Sequence, residues 1–162
     1  MVEQKKAVRG TTEWAVAEIN CCRGCPHECR YCFARYDLVE RKKCVTADEW
    51  KECQLLVKDV KKQQRLYPGQ VMFPTHHDIV PENLDACITV IGNLLRAGNR
   101  VLIVSKPHRK CIVRLCSEFA SEKRQLLYRF TITARNSDIL NFWEPFAPDY
   151  IERKSCLEYA YN

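Results

Sequence analysis

Apolar positions recur along the chain in two periods, and each switch between them marks a new element. Residues 14–20, WAVAEIN, form a short apolar run that predicts a strand. Thr46 and Glu49 have the spacing of a capping box, so a helix is expected to start there. Trp50, Cys53, Val57, Val60, Gln64 and Tyr67 then fall at three- and four-residue steps on one helical stripe, which Pro68-Gly69 stops. VMFP (71–74) predicts a second strand, followed by the polar loop THHDIV. Pro81 suits the first turn of the next helix, which runs through ENLDACITVIGNLLRA to a cap at Gly98. VLIVS (101–105) is apolar throughout, as a strand covered on both faces should be. Ile112, Leu115, Cys116 and Phe119 share a face of a third helix, and YRFTIT (128–133) predicts a fourth strand. Residues 134–148 read as a loop, with a last helix from Asp149.

Strand and helix in alternation imply parallel strands joined by right-handed crossovers. The class is therefore α/β, with about four βα units in one domain of 162 residues. The cysteine-rich loop, THHDIV, SKPH and TARN all follow strand ends. In parallel α/β folds that edge is where sites are assembled.

Composition narrows the setting. No run approaches the roughly 18 apolar residues of a membrane span. The basic N-terminal stretch has no apolar segment behind it, so a cytoplasmic protein with no membrane contact is expected. A formal net charge of +6 permits an anionic partner such as nucleic acid. The basic runs RKK, KKQQR and KPHRK read more simply as solvated helix faces, and no aromatic-interleaved stripe accompanies them.

Eleven cysteines is a high count, and five of them fall between residues 21 and 32. Thiols in a reducing compartment cluster most often around metal. Cys44, Cys53, Cys87, Cys111, Cys116 and Cys156 are scattered and read as small core residues. Cys21 and Cys22 read as wall residues beside the loop. Cys25-x3-Cys29-x2-Cys32 supplies three thiolates on eight residues. Zinc wants four ligands, and His27 would be the fourth in that reading. Iron–sulfur clusters also take thiolates on short loops. Three ligands to a four-iron cubane leave one iron open to a small chelating molecule.

The segment RGCPHECRYCF resembles the CxxxCxxC-aromatic motif of radical S-adenosylmethionine (radical SAM) enzymes. With Asn20, Arg23 and Gly24 ahead of it, the segment is similar to the spore photoproduct lyase-like, or DNA repair photolyase-like, branch. THHDIVPEN, VLIVSKP and WEPFAP extend the resemblance over nearly the whole chain. It implies a partial (β/α) barrel in which Cys25, Cys29 and Cys32 hold a 4Fe-4S cluster. S-adenosylmethionine would chelate the open iron through its amino and carboxylate groups. One electron would break its sulfonium C–S bond and give a 5'-deoxyadenosyl radical that abstracts hydrogen from a substrate. An electron donor such as flavodoxin or ferredoxin is implied, and DNA carrying a pyrimidine lesion is the substrate class suggested.

The resemblance also proposes a cofactor pocket. Phe33, after the last cysteine, would pack near the adenine. Thr75 and His76 would line the pocket, ahead of His77 and Asp78, although the Gly-Gly-Glu-like motif of many relatives is missing here. Lys106 would pair with the SAM carboxylate beside Ser105. Thr131 and Thr133 share strand parity and would point together into a barrel interior. The ordinary alternatives are a surface lysine and hydrogen-bonded core threonines. The family's core has about six βα units, so a truncated form lacking the substrate-facing part is expected. The alternatives from other classes are a non-enzymatic zinc-binding module and an inactive fragment of such an enzyme.

Overall fold

The computed structural model describes residues 10–161. The strands in chain order are β1 (Ala17–Glu18), β2 (Cys22–Arg23), β3 (Gln54–Leu55), β4 (Val71–Phe73), β5 (Val101–Ser105) and β6 (Leu126–Phe130). The helices are α1 (Phe33–Arg35), α2 (Ala47–Lys51), α3 (Val57–Lys61), α4 (Leu84–Arg96), α5 (Arg109–Glu118), α6 (Ser137–Trp143) and α7 (Tyr150–Tyr161). β1, β4, β5 and β6 form a parallel sheet in that spatial order, with Ile103 opposite both Phe73 and Tyr128. Neighbours in space are neighbours among the parallel strands, so same-handed crossovers carry α4 and α5 across one face.

Side-chain alternation sorts the sheet into two faces. Val71, Phe73, Val101 and Ile103 are fully buried against Val90, Ile91 and Leu94 of α4 and Ile112 and Leu115 of α5, joined by Tyr128 and Phe130. Met72, Leu102 and Val104 point the other way and are covered by Ala15. Burying side chains of this size stabilises the fold by about 1.5–3 kcal/mol each.

The long helix expected from residue 46 is interrupted. Its capping box forms with both arms: Thr46 N–H donates to Glu49 at 2.8 Å, and Glu49 N–H to Thr46 at 3.2 Å. Glu52 is nevertheless extended, at φ −91° and ψ 145°. Residues 54 and 55 instead pair antiparallel with 23 and 22. Leu56 N–H bonds Cys21 O at 2.8 Å, and Cys25 N–H bonds Trp50 O at 2.7 Å. These bonds to the cysteine loop replace the ones a continuing helix would have made. Gly24 permits the close approach, at φ +93°, since a β-carbon there would lie 2.1 Å from Glu52 O.

Three smaller differences concern the site. The first strand contracts to two residues, leaving Trp14 half-exposed. The fourth strand ends at Phe130, so Thr131 and Thr133 lie beyond it, although Thr131 N–H still bonds Ser105 O at 3.0 Å. The segment expected as loop contains α6, capped by Asn136 Oδ1, which accepts the Asp138 and Ile139 amides. The cysteine loop itself runs through α1 into a π-helical turn, Tyr36–Arg41. No described helix is long and apolar enough to cross a membrane.

Candidate metal and cofactor site

Beyond the ends of β4, β5 and β6, the loops enclose a cavity of about 300 Å³. Cys25, Cys29, Cys32 and Phe33 form one wall, Thr75, His76 and Asp78 another, and Lys106 and Thr131 close it. The cysteine loop is short because it folds on itself. Cys32 N–H bonds Cys29 O at 3.1 Å, and the Cys32 sulfur accepts the Arg35 amide at 3.4 Å as the N-cap of α1. Cys25 and Cys29 are buried, while Cys32 is partly open and Phe33 stands 73% exposed at the rim. Burial pushes the Cys29 thiol up to about 11, with the Lys106 charge working against it. Burial and then the Asp78 charge push Cys25 upward as well.

A single tetrahedral ion with metal–sulfur bonds of about 2.3 Å holds its sulfurs about 3.8 Å apart. Cys25, Cys29 and Cys32 are not among the described groups whose ligand atoms close to within 4.8 Å, whereas Cys25, His27 and Asp78 are. The three loop thiols are thus not all gathered as closely as the ligands of one ion.

Asp78 is the electrostatic hub. Its carboxylate accepts Ser105 Oγ at 2.9 Å and Lys106 N–H at 2.8 Å through one oxygen. The other oxygen takes His27 Nδ1 at 2.9 Å and lies 3.5 Å from Lys106 Nζ. Burial alone would raise this carboxyl. The His27 hydrogen bond and the Lys106 charge outweigh it and hold Asp78 well below the usual carboxylate range. Lys106 is likewise held above its ordinary value, because the charges of Asp78, Cys29 and Cys25 outweigh its burial. His27 is buried with both ring nitrogens engaged, Nε2 contacting His108 Nε2 at 2.8 Å.

Of the expected cofactor residues, Phe33, Thr75, His76, Lys106 and Thr131 line the cavity. Ser105 and Thr133 do not. Ser105 is buried and accepts the Ile79 amide at 3.1 Å, bracing Asp78 from behind. Thr133 donates to Glu144 at 2.6 Å. Thr75 and His76 are positioned by Asn20, whose Oδ1 accepts both of their amides at 2.8 Å. Sequence reasoning missed the opposite wall. There Tyr31, between two of the loop cysteines, lines the cavity and donates to Glu144 behind it, which forms a fully buried 2.6 Å ion pair with Arg153 of α7. The tyrosine's position inside the cysteine motif was the only sign of it.

Comparison of the chain with protein-family models, curated proteins and solved structures finds no match in any of the three.

Proposed function

We propose that this chain is a radical SAM protein: Cys25, Cys29 and Cys32 hold a 4Fe-4S cluster, and the adjoining cavity takes S-adenosylmethionine. The observation that carries the reading is the convergence of three loop thiols, an ion-paired lysine and a set of polar loop residues on one cavity at the carboxyl edge of a parallel sheet. Sequential strand order is also what an arc of a (β/α) barrel requires. The donor set fits the cluster, because thiolates on short loops are its usual ligands.

When both are bound, a cluster reduced by an external electron donor would supply the electron that breaks the sulfonium carbon–sulfur bond of SAM. The chain's own residues have simpler tasks. Lys106 Nζ offers a positive charge to a carboxylate on the cofactor, and Asp78 keeps it charged and aimed. Phe33 offers an exposed aromatic face at the rim for an adenine. Asn20 fixes Thr75 and His76 against the cofactor, and Thr131 bounds the pocket from the last strand. Trp50 and Pro74 contribute buried apolar surface that keeps water out. The substrate class suggested by resemblance, lesion-bearing DNA, draws support only from the +6 charge.

A second reading is a zinc ion on Cys25, His27 and Asp78, favoured by their closeness. Anaerobic reconstitution with iron and sulfide separates the two. Brown protein with about four irons per chain, whose reduced-state electron paramagnetic resonance changes on adding SAM, supports the cluster. Colourless protein that binds no iron, with zinc lost on Cys25→Ala, supports the second reading and overturns the first.

A further inference from the structure

Behind the cavity wall, on the helix-covered side of the sheet, lies a separate group of sulfurs. Cys21 Sγ is 3.8 Å from Cys22 Sγ and 3.7 Å from Cys87 Sγ. The same sulfur is 3.7 Å from His77 Nε2. Cys21 and Cys87 are fully buried, and Cys22 and His77 nearly so. The four residues come from three places: the residues around the start of β2, the loop after β4, and α4. Cys53, just before β3, stands behind Cys22.

Buried cysteines alone are unremarkable, because a thiol packs as a small hydrophobe. The imidazole changes the case. His77 Nδ1 lies 3.0 Å from Asp78 O, which can only accept, so Nδ1 carries the hydrogen. Nε2 is then the lone-pair nitrogen, and it faces the sulfurs; it accepts the Cys21 amide at 3.2 Å, a long bond that an arriving metal ion has to displace. A backbone carbonyl fixing Nδ1–H so that Nε2 is presented is the outer arrangement that orients metal-binding histidines. The two spacings from the Cys21 sulfur also agree with the about 3.8 Å edge of a tetrahedron built on metal–sulfur bonds of about 2.3 Å. Cys21, Cys22 and His77 meet the single-ion closeness that the three loop thiols do not.

We propose that Cys21, Cys22 and His77, with Cys87 drawn in from beyond their mutual closeness, form a second metal site that takes a tetrahedral zinc ion as a structural centre, independent of the loop at Cys25, Cys29 and Cys32. Once Cys87 closes in, three sulfurs and one imidazole nitrogen match zinc's preferred set and fill all four coordination positions, as in a structural rather than catalytic site. Binding displaces one proton from each thiol and none from His77, which is neutral at Nε2. The ion would tie the start of β2 to α4 and to the loop that carries Asp78, and so brace the cavity wall from behind.

The test is zinc analysis and zinc-edge X-ray absorption on the full chain, purified anaerobically from zinc-supplemented cells. A stoichiometric ion with three sulfurs and one nitrogen is expected. It should survive in the Cys25→Ala/Cys29→Ala/Cys32→Ala variant and fall at least tenfold in Cys21→Ser/Cys87→Ala. Cobalt added to the zinc-free wild-type chain should give the intense visible bands of a tetrahedral thiolate site, a readout that needs no variant to fold. Zinc that is absent, that disappears with the three loop cysteines, or that shows one sulfur with nitrogen and oxygen would overturn the proposal. So would cobalt binding without those bands.

Discussion

His27 Nε2 and His108 Nε2 approach to 2.8 Å, joining the cysteine loop to the N-terminus of α5 through two imidazoles. Only one of the facing nitrogens can carry the hydrogen, so this contact requires at least one ring to be neutral there. His108 also lies 4.0 Å from Glu152, whose carboxylate caps the Arg109 amide at 2.8 Å. Burial and then the His27 charge hold His108 below the ordinary histidine value, against a partial pull upward from Glu152. The unfolded chain therefore takes up a proton near pH 6.5 that the folded chain resists, and stability must fall as pH drops through that value. Denaturant unfolding between pH 7.5 and 5.5 should show this loss, with a shallower slope in His108→Gln. Identical slopes would remove His108 from the account.

Gly24→Ala should destabilise the chain by at least about 2 kcal/mol. The backbone conformation is one that side chains resist, and the added carbon would meet Glu52 O at 2.1 Å and Trp50 O at 2.6 Å. Gly10→Ala is the control, since its φ is also positive, at +70°, but nothing lies within 4 Å. Similar losses in both variants would mean that contact with Glu52 contributes nothing.

Cys29→Ala should abolish iron binding after reconstitution, and Cys111→Ala should retain it. Cys29 lines the cavity, whereas Cys111 is buried in the main core on α5. Equal iron content in the two variants would show that the loop is not the anchor.

Lys106→Ala distinguishes two roles for one charge. If Nζ meets the carboxylate of SAM, the concentration of SAM needed to change the reduced cluster's spectrum should rise about tenfold or more, corresponding to about 1–3 kcal/mol for a hydrogen bond to a charged group. If Lys106 serves only Asp78, 3.5 Å away, stability should drop while that concentration stays put.

Arg153→Met should cost about 3–5 kcal/mol, because it leaves the Glu144 carboxylate buried without its cation. Adding Glu144→Gln should recover part of the loss, which a double-mutant cycle measures directly. Full additivity of the two substitutions would mean that the pair does not interact.

How far the chain could be read in advance depended on the range of the interactions involved. The capping box at Thr46 is a four-residue motif, and it forms as the spacing implies. The length of its helix was not legible, because what ends it is pairing with Cys22, some thirty residues earlier in the chain. The cysteine loop and the polar loop after β4 were visible as punctuation, and both reach one cavity. The contact of Asp78 with His27 is set by the fold, as is the burial of Cys21 against Cys87 and His77. Periodicity sees Cys87 only as one apolar position on α4. Its neighbours come from other elements, and no local pattern could name them. Thr133 shows the reverse error: parity pointed inward, but the strand ended first and the hydroxyl turned to Glu144.

The Tyr31–Glu144–Arg153 connection also has a meaning in time. Tyr31 and Glu144 are 113 residues apart, so the wall they close waits for that much chain to be made. At ribosomal speeds of about 5–20 residues per second, the cysteine loop emerges roughly 6–23 s before its latch. During that interval the thiols stand open to solvent, and anything that reaches them meets no closed wall. Nascent chains stalled before Glu144 should accordingly show Cys29 reacting freely with alkylating reagents, and chains released with α7 docked should show it protected.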